Sequence, residues 1–158
     1  MQTPDGAKSI NSYSADSGAD YTFATDPAGH RKKYTYDALS HWKSVLEDPR
    51  GLNYSTTYTY DPLNDLQVVT QGGETRTFAY DSLARLASAT NPESGTTSYT
   101  YDNAGNLYQR SDARGVVATY GFDALNRPAS TSYNNGTAGV SYSYDNANPP
   151  NGIGRLSL

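Results

Sequence analysis

Aromatic residues recur along this chain as pairs separated by one residue, within short runs of alternating large and small side chains. Residues at i and i+2 of an extended strand point to the same face of a sheet. Each aromatic pair therefore predicts a β-strand with one aromatic face. A degenerate pair, Tyr21 and Phe23, is followed by Ala24. An aspartate follows each of the other pairs, and six copies of the unit are present: Tyr34, Tyr36 and Asp37; Tyr58, Tyr60 and Asp61; Phe78, Tyr80 and Asp81; Tyr99, Tyr101 and Asp102; Tyr120, Phe122 and Asp123; and Tyr142, Tyr144 and Asp145.

Each aspartate is placed to begin a hairpin turn, because an Asp at the first position of a type I turn accepts backbone N–H hydrogen bonds. A three-residue hairpin loop with a G1 bulge then needs positive φ three residues later, which Gly and Asn tolerate. The residues at that position are Ser40, Asn64, Ala84, Gly105 and Asn126. Two residues further on the return strand is predicted to begin, at Trp42, Leu66, Leu86, Leu107 and Pro128.

A second set of Pro- and Gly-containing turns closes each unit, at residues 48–51, 71–73, 91–95, 112–115 and 134–136. Successive aspartates are 24, 20, 21, 21 and 22 residues apart. Two turns per unit leave two strands of about six to eight residues, and no segment between the turns has a helical period. The sequence predicts an all-β fold: an antiparallel meander of tandem hairpins that forms a curved sheet. The aromatic pairs of neighbouring repeats are expected to stack in columns.

The predicted domain organisation is a tail over residues 1–8 and a repeat domain over residues 9–158. An imperfect extra hairpin is expected at the start of the repeat domain, with its turn near residues 16–18. In the sixth copy, residues 148–151 interrupt the unit, which resumes at residues 154–156. The last repeat is therefore expected to be truncated and the chain to be a piece of a longer protein.

Composition alone favours disorder, because only 22 of the 158 residues are Leu, Ile, Val or Phe. The net charge of −4 causes little self-repulsion, however, and the 15 Tyr residues recur at fixed places where they supply large rings. The absence of Cys excludes disulfides and thiolate metal sites. No apolar run approaches the roughly 18 residues of a membrane span, and no signal peptide is visible at the N-terminus. The acidic balance without a basic patch argues against a nucleic-acid partner.

The polar side chains form no recognisable catalytic or metal-binding motif. Calcium needs six to eight oxygens close together, whereas each repeat offers one aspartate with a role in its turn. His30 and His41 lack cysteine partners and the close spacing of a zinc pair, and neither lies in a triad motif. The sequence therefore predicts no enzyme, no cofactor and no metal site. The aromatic and aspartate residues of the six copies, with Gly105 and Leu107, are expected to be structural.

The segment from Tyr99 to Leu107 is similar to the motif Tyr-x-Tyr-Asp-x-x-Gly-Arg-Leu, with Asn106 in place of Arg. With six copies in register, the chain resembles the YD-repeat, or Rhs-repeat, family. The resemblance implies a β-sheet strip that spirals into a hollow shell in a longer parent protein. In the family, such shells enclose the C-terminal toxin domain of bacterial polymorphic toxins, and insecticidal toxin complexes and teneurins carry similar repeats.

Shells of this family also imply a self-cleavage segment with the pattern Asp-Pro-x-Gly. Residues 26–29 and 48–51 match that pattern. Both segments occupy the position of an ordinary second turn, and repeats continue after each of them. Plain turns are therefore the favoured interpretation at both places.

Two functions remain open from the sequence. The first is a structural wall segment of a secreted or cell-surface protein. Its partners are other repeats of the parent shell, the toxin domain of the parent, and further copies through exposed sheet edges, which invite pairing. The second is a carbohydrate or cell-wall binding module that uses the paired aromatic residues and takes glycans as ligands.

Overall fold

The structure is a computed structural model that describes residues 12–16, 19–26, 28–49, 51–145 and 156–157. All the secondary-structure elements within these residues are β-strands. β2 to β12 are five to seven residues long, slightly shorter than expected. The strands are β1 (Ser12–Asp16), β2 (Ala19–Thr25), β3 (Arg31–Tyr36), β4 (Trp42–Glu47), β5 (Tyr54–Tyr60), β6 (Leu66–Gln71), β7 (Glu74–Tyr80), β8 (Leu86–Asn91), β9 (Gly95–Tyr101), β10 (Leu107–Ser111), β11 (Val117–Phe122), β12 (Pro128–Tyr133), β13 (Val140–Ser141), β14 (Ser143–Tyr144) and β15 (Leu156–Ser157).

The chain divides into two compact units, Met1–Phe78 and Ala79–Leu158, and the division falls within β7. In the first unit, β1 to β7 pair with one another in chain order, and every pair is antiparallel. In the second unit, β8 to β13 follow the same rule, and β14 pairs with β15 in a separate two-stranded sheet. The predicted all-β antiparallel meander is confirmed.

The second aromatic residue of a repeat lies directly opposite the residue that begins the return strand. The paired residues are Tyr36 and Trp42, Tyr60 and Leu66, Tyr101 and Leu107, Phe122 and Pro128, and Tyr144 and Leu156. In the first four pairs the register shifts at the next position, as a bulge beside the loop requires. The pairing of Leu156 confirms that the sixth repeat resumes there, although residues 146–155 lie outside the described residues.

The aromatic face predicted for each strand is visible in the pattern of exposure. In β5, the side chains of Tyr58 and Tyr60 are half-buried, whereas Thr59 between them is exposed, and β9 repeats this alternation. Among the described hydrophobic side chains, Val45, Ala89 and Ala118 are buried. A β-sheet that no second layer covers buries little apolar surface. The backbone hydrogen bonds between strands and the half-buried rings therefore stabilise most of the fold.

The extra N-terminal hairpin is present, since β1 pairs with β2 as far as Asp16 opposite Ala19. Ser17 and Gly18 of its turn, and the predicted tail over residues 1–8, lie outside the described residues. No helix long and apolar enough to cross a membrane occurs in the described part of the chain.

Candidate functional site

The repeat aspartates close their own turns through the side-chain oxygen Oδ1. This oxygen accepts hydrogen bonds from the backbone N–H groups two and four residues further along the chain, at 2.8–3.0 Å. The same geometry occurs at Asp37, Asp61, Asp81, Asp102 and Asp123. The backbone N–H groups of a loop have no neighbouring strand to accept their hydrogen bonds, so each carboxylate supplies the acceptor instead.

The backbone of each turn follows the predicted three-residue loop. The aspartate N–H donates to the carbonyl four residues later, and its own carbonyl accepts from the N–H three residues later. The third loop residue has positive φ in all five turns, which confirms the prediction. The φ values are 66° at Ser40, 70° at Asn64, 56° at Ala84, 87° at Gly105 and 59° at Asn126.

The second carboxylate oxygen of the aspartate contacts the side chain four residues later. Nε of Arg85 lies 2.7 Å from Oδ2 of Asp81, and Nε of Arg127 lies 2.6 Å from Oδ2 of Asp123. His41 and Asn106 occupy the same position relative to Asp37 and Asp102, at 3.0 Å each. We call this fourth residue after the aspartate the bridging residue.

Three of the five bridging residues also cover a ring of the following repeat. The His41 ring stacks on Tyr60 at 4.7 Å between centroids. The guanidinium carbon of Arg85 lies 4.4 Å from the centroid of Tyr101, and that of Arg127 lies 4.3 Å from the centroid of Tyr144. A cation over the face of an aromatic ring is favourable. His41, Arg85 and Arg127 therefore each join the aspartate of one repeat to a ring of the next.

Polar bonds strengthen the same junction in the second unit. Both terminal nitrogens of Arg127 donate to the carboxylate of Asp145, at 3.2 and 2.6 Å, so this arginine joins the aspartates of two repeats. Nδ2 of Asn106 donates to Oδ1 of Asn126 in the next turn at 2.9 Å.

Tyrosine hydroxyl groups make a second connection between repeats. The hydroxyl of Tyr60 donates to the backbone carbonyl of Trp42 at 3.1 Å. Tyr101 donates to Leu86 at 2.9 Å, and Tyr144 donates to Pro128 at 2.8 Å. In every case the acceptor begins the return strand of the preceding repeat. Neither this bond nor the bridging residue was predicted from the sequence, although the repeated Tyr at the second aromatic position was a signal for the bond.

The aromatic pairs of neighbouring repeats do not stack directly on one another as predicted. Aromatic strands of successive repeats are separated by a return strand, so their backbones are two strand spacings apart, about 9.5 Å. Ring centroids in contact are at most about 7 Å apart. In the first unit Trp42 fills the gap, since its ring lies 5.8 Å from Tyr34 and 6.2 Å from Tyr58.

The hydrogen bonds of the turns and junctions shift the pKa values of the charged side chains that make them. At Asp123, the backbone hydrogen bond from Arg127 and then the bond from its side chain hold the pKa below the ordinary carboxyl value, against desolvation. At Asp102, the hydrogen bond from the Asn106 side chain lowers the pKa most. Hydrogen bonds to Asp145 and Asp123 raise the pKa of the Arg127 guanidinium. These carboxylates are therefore held in the charged form that the turn requires.

Asp65 is the bridging residue of the second repeat unit and departs from the pattern. It is an acid where other repeats have a hydrogen-bond donor. Its Oδ2 atom is buried and has no hydrogen-bond partner among the described residues.

The other polar residues considered from the sequence lie in turns. Asp26 accepts a hydrogen bond from the backbone N–H of His30 and contacts its ring nitrogen Nδ1, both at 2.9 Å. The Asp48 carboxylate accepts the N–H of Leu52 at 3.0 Å. Pro27 and Arg50 of the two Asp-Pro-x-Gly segments lie outside the described residues. In the part of the chain that the structure describes, no three acidic or histidine side chains are grouped to hold a metal ion.

Comparisons with known proteins give one family and a shared fold. A family model described as Teneurin YD-shell matches residues 19–154. The crystal structure of TcdB2-TccC3-TEV has a TM-score of 0.62 at 15% identity, covering 80% of this chain and 9% of that chain. The crystal structure of TcdB2-TccC3-Cdc42 has a TM-score of 0.47 at 13% identity, covering 85% of this chain and 10% of that chain. No curated protein sequence matches this chain significantly.

The first of these likenesses shows that the fold of this chain recurs within a much longer protein. This chain spans about a tenth of the length of the solved chains that it matches.

Proposed function

Because this chain belongs to the Teneurin YD-shell family, we propose that it is a structural wall segment: a strip of β-hairpins that contributes sheet area to a larger enclosure. The observation that carries the proposal is the junction between repeats. A bridging residue and a tyrosine hydroxyl join one repeat to the next at Tyr60, Tyr101 and Tyr144. An array in which each repeat is bonded to its neighbour extends in one dimension, as a wall requires.

The residues with the richest chemistry already have structural partners. The five turn aspartates bind backbone N–H groups, and the second oxygens of four of them contact Arg85, Arg127, Asn106 and His41. We therefore assign a non-enzymatic role to the repeat residues: the aromatic pairs order the sheet, the aspartates with Gly105 form the turns, and Leu107 begins a return strand.

In the parent protein we propose that such segments enclose a C-terminal toxin domain and that the parent is secreted or displayed at the cell surface. The family resemblance of the repeat motif supports this assignment. The small fraction of the matched solved chains that this chain covers is consistent with a segment that needs further repeats to close a shell. Those repeats would pair at the terminal strands, whose backbone groups are ready for another strand.

The repeat architecture is testable by deletion. Removing residues 82–102 joins Asp81 to Asn103 and takes out β8 and β9, so the remaining turn still has Gly105 at its third loop position. We expect the shortened chain to keep its β circular dichroism spectrum and to melt cooperatively at a lower temperature, because one set of junctions is lost.

A half-repeat deletion is the matched control. Removing residues 82–91 takes out β8 alone, so every later strand runs in the opposite direction and its turns exchange sides. We expect this variant to lose cooperative melting. If both deletions unfold the chain equally, the repeats are not interchangeable units and the wall proposal fails.

The carbohydrate-binding alternative stays a prediction, and the geometry of the paired tyrosines gives it little support. A sugar packs on the exposed face of a ring, but His41, Arg85 and Arg127 cover one face of Tyr60, Tyr101 and Tyr144. Binding of the folded chain to a glycan and cell-wall polymer array tests it. We expect no specific binding, and a signal abolished by Tyr101→Ala but retained in Tyr54→Ala would favour the binding module.

A further inference from the structure

Among the described residues, four of the five most exposed large apolar side chains lie at the tips of the aspartate turns. The second residue after the aspartate is Leu in four of five turns, and its exposed fraction is 66% at Leu39, 71% at Leu63, 70% at Leu83 and 71% at Leu125. Turn positions ordinarily favour Gly, Pro, Asn, Asp and Ser. An exposed leucine that recurs at one turn position is therefore a feature that turn formation does not explain.

These residues line one side of the sheet in each unit. In a meander, alternate turns lie on the same side, so the tips follow one another at a step of two strands, about 9.5 Å. We call these residues the leucine rim: Leu39 and Leu63 in the first unit, and Leu83, Ala104 and Leu125 in the second. Ala104 is a smaller apolar member of the same row.

The rim has no charge of its own at the tips. In all five turns, none of the three residues between the aspartate and the bridging residue is charged. The aspartates themselves face inward to backbone N–H groups at 2.8–3.0 Å. The turns on the other side of the sheet in each unit carry charged residues instead, among them Asp48, Glu93 and Arg114. The two sides of the strip therefore differ in the partner that suits them.

The chemistry of the rim selects its partner. An anionic lipid surface attracts basic residues, and the tips have none. An uncharged apolar row with a regular step matches another row with the same step, because the leucines of one row fit between those of the other and neither side leaves a charge unpaired.

We propose that the leucine rim docks against the leucine rim of a second copy of this chain and joins two strips side to side. The contact uses turn tips, whereas the pairing of further repeats uses the terminal strands. The inference rests on the proposed wall function, because a wall needs lateral contacts between strips as well as continuity along each strip.

Sedimentation velocity of the full chain over a range of concentrations tests the proposal. The test variant carries Leu39→Asn, Leu63→Asn, Leu83→Asn and Leu125→Asn, since Asn is well suited to turns. We expect its dissociation constant for self-association to rise roughly ten-fold or more, because apolar area is lost from the contact. The control is Leu52→Asn, at a leucine 72% exposed in a turn on the other side, and we expect no change.

Two results would overturn the inference: an unchanged association curve for the four-residue variant, or a wild-type chain that stays monomeric at all concentrations. Val140→Pro separates the two kinds of contact, since it disrupts pairing at the terminal strand β13 and should leave rim association intact. The whole-repeat deletion removes Leu83 of the rim, but its cooperative melting does not require self-association, so that melting would preserve the wall function even if the rim contact fails.

Cysteine substitution gives a second measurement that does not depend on the four-residue variant folding. The chain has no Cys, so Leu63→Cys and Leu52→Cys each introduce a single thiol. Under mild oxidation we expect the Leu63→Cys chain to form disulfide-linked dimers roughly ten-fold faster than the Leu52→Cys chain. Equal rates would contradict rim docking.

Discussion

At the scale of single residues, the third loop position shows how far the sequence determines a turn. Gly and Asn at this position predicted positive φ, and the prediction also holds at Ala84, where φ is 56°. An Ala in this region places its Cβ close to a carbonyl oxygen, at a cost of about 1–2 kcal/mol. The loop is therefore set by the aspartate and its two N–H bonds strongly enough to tolerate a strained residue.

This strain gives a pair of opposite predictions. Ala84→Gly should stabilise the protein by about 0.5–1 kcal/mol, the relief of strain less the greater chain entropy of Gly. Gly105→Ala should destabilise it by a similar amount. A Cβ added at Gly105, where φ is 87°, meets no atom nearer than Nη1 of Arg85 at 3.9 Å, so the effect comes from the backbone alone.

Urea unfolding of both variants beside wild type measures the two effects. A change of the same sign in both would show that the third loop position does not control turn stability. Leu63→Asn is the control: it changes a turn residue that does not have positive φ, so its effect on the free energy of unfolding should be smaller.

The bridging residue marks the limit of sequence analysis at this scale. His41, Asp65, Arg85, Asn106 and Arg127 differ in charge and shape, so no pattern of residue type distinguishes the position. Its role depends on a ring in the next repeat, some 16 to 19 residues further along the chain. A turn is a local structure and can be predicted locally, whereas a contact between repeats requires the register of three strands.

At the scale of the strand, the two tyrosines of one aromatic pair are not equivalent. The Tyr101 hydroxyl donates to the carbonyl of Leu86 and its ring lies beneath Arg85, whereas no hydrogen bond of the Tyr99 hydroxyl is found within the described residues. The sequence predicted that both rings lie on one face of the strand, but the distinction between them depends on the neighbouring strand.

Tyr101→Phe should therefore destabilise the chain by about 1 kcal/mol, because the Leu86 carbonyl loses its donor while the ring and its contact with Arg85 are kept. Tyr99→Phe is the matched control and should change stability by much less. Thermal melting followed by circular dichroism measures both variants. Equal shifts in melting temperature would rule out the hydroxyl bond as the source of the difference.

At the scale of the whole molecule, the family and the fold were both predicted from the repeat, and both are confirmed. Periodicity made this possible, since six copies of one signal outweigh a composition that favours disorder. The expected direct stacking of aromatic columns is wrong, because the return strand of each repeat separates successive aromatic strands by about 9.5 Å, which is beyond the range of direct ring contact. The domain limits at residues 9–158 stay a prediction.

The repeated carboxylates also give the molecule a common response to acid. The pKa values of Asp37, Asp81, Asp102 and Asp123 lie below the ordinary carboxyl value of 3.8. At Asp37 desolvation opposes this shift, and hydrogen bonds from His41 and Leu39 outweigh it. A group whose pKa is lower in the folded state stabilises the fold above its unfolded pKa, and this contribution is lost as the pH falls through the folded pKa.

We therefore expect the melting temperature to be nearly constant between about pH 7 and pH 5 and to fall below about pH 4. A variant with Asp102→Asn and Asp123→Asn keeps an oxygen acceptor at each turn but cannot titrate there, so its melting temperature should fall less steeply in acid. Scanning calorimetry of both proteins across this range makes the comparison. A wild-type melting temperature that is constant down to about pH 2 would contradict the role of the charged turns.

The bridging contact has a direction, and that direction bears on synthesis. The guanidinium of Arg85 precedes its ring, Tyr101, in the chain, and Arg127 precedes Tyr144. A chain leaves the ribosome from its N-terminus, so the hairpins that carry Tyr101 and Tyr144 each meet a cation that an earlier hairpin has already positioned. Closing such a short loop is fast and needs no distant part of the chain. The strip therefore has the means to add hairpins one at a time during translation, in the order in which they are encoded.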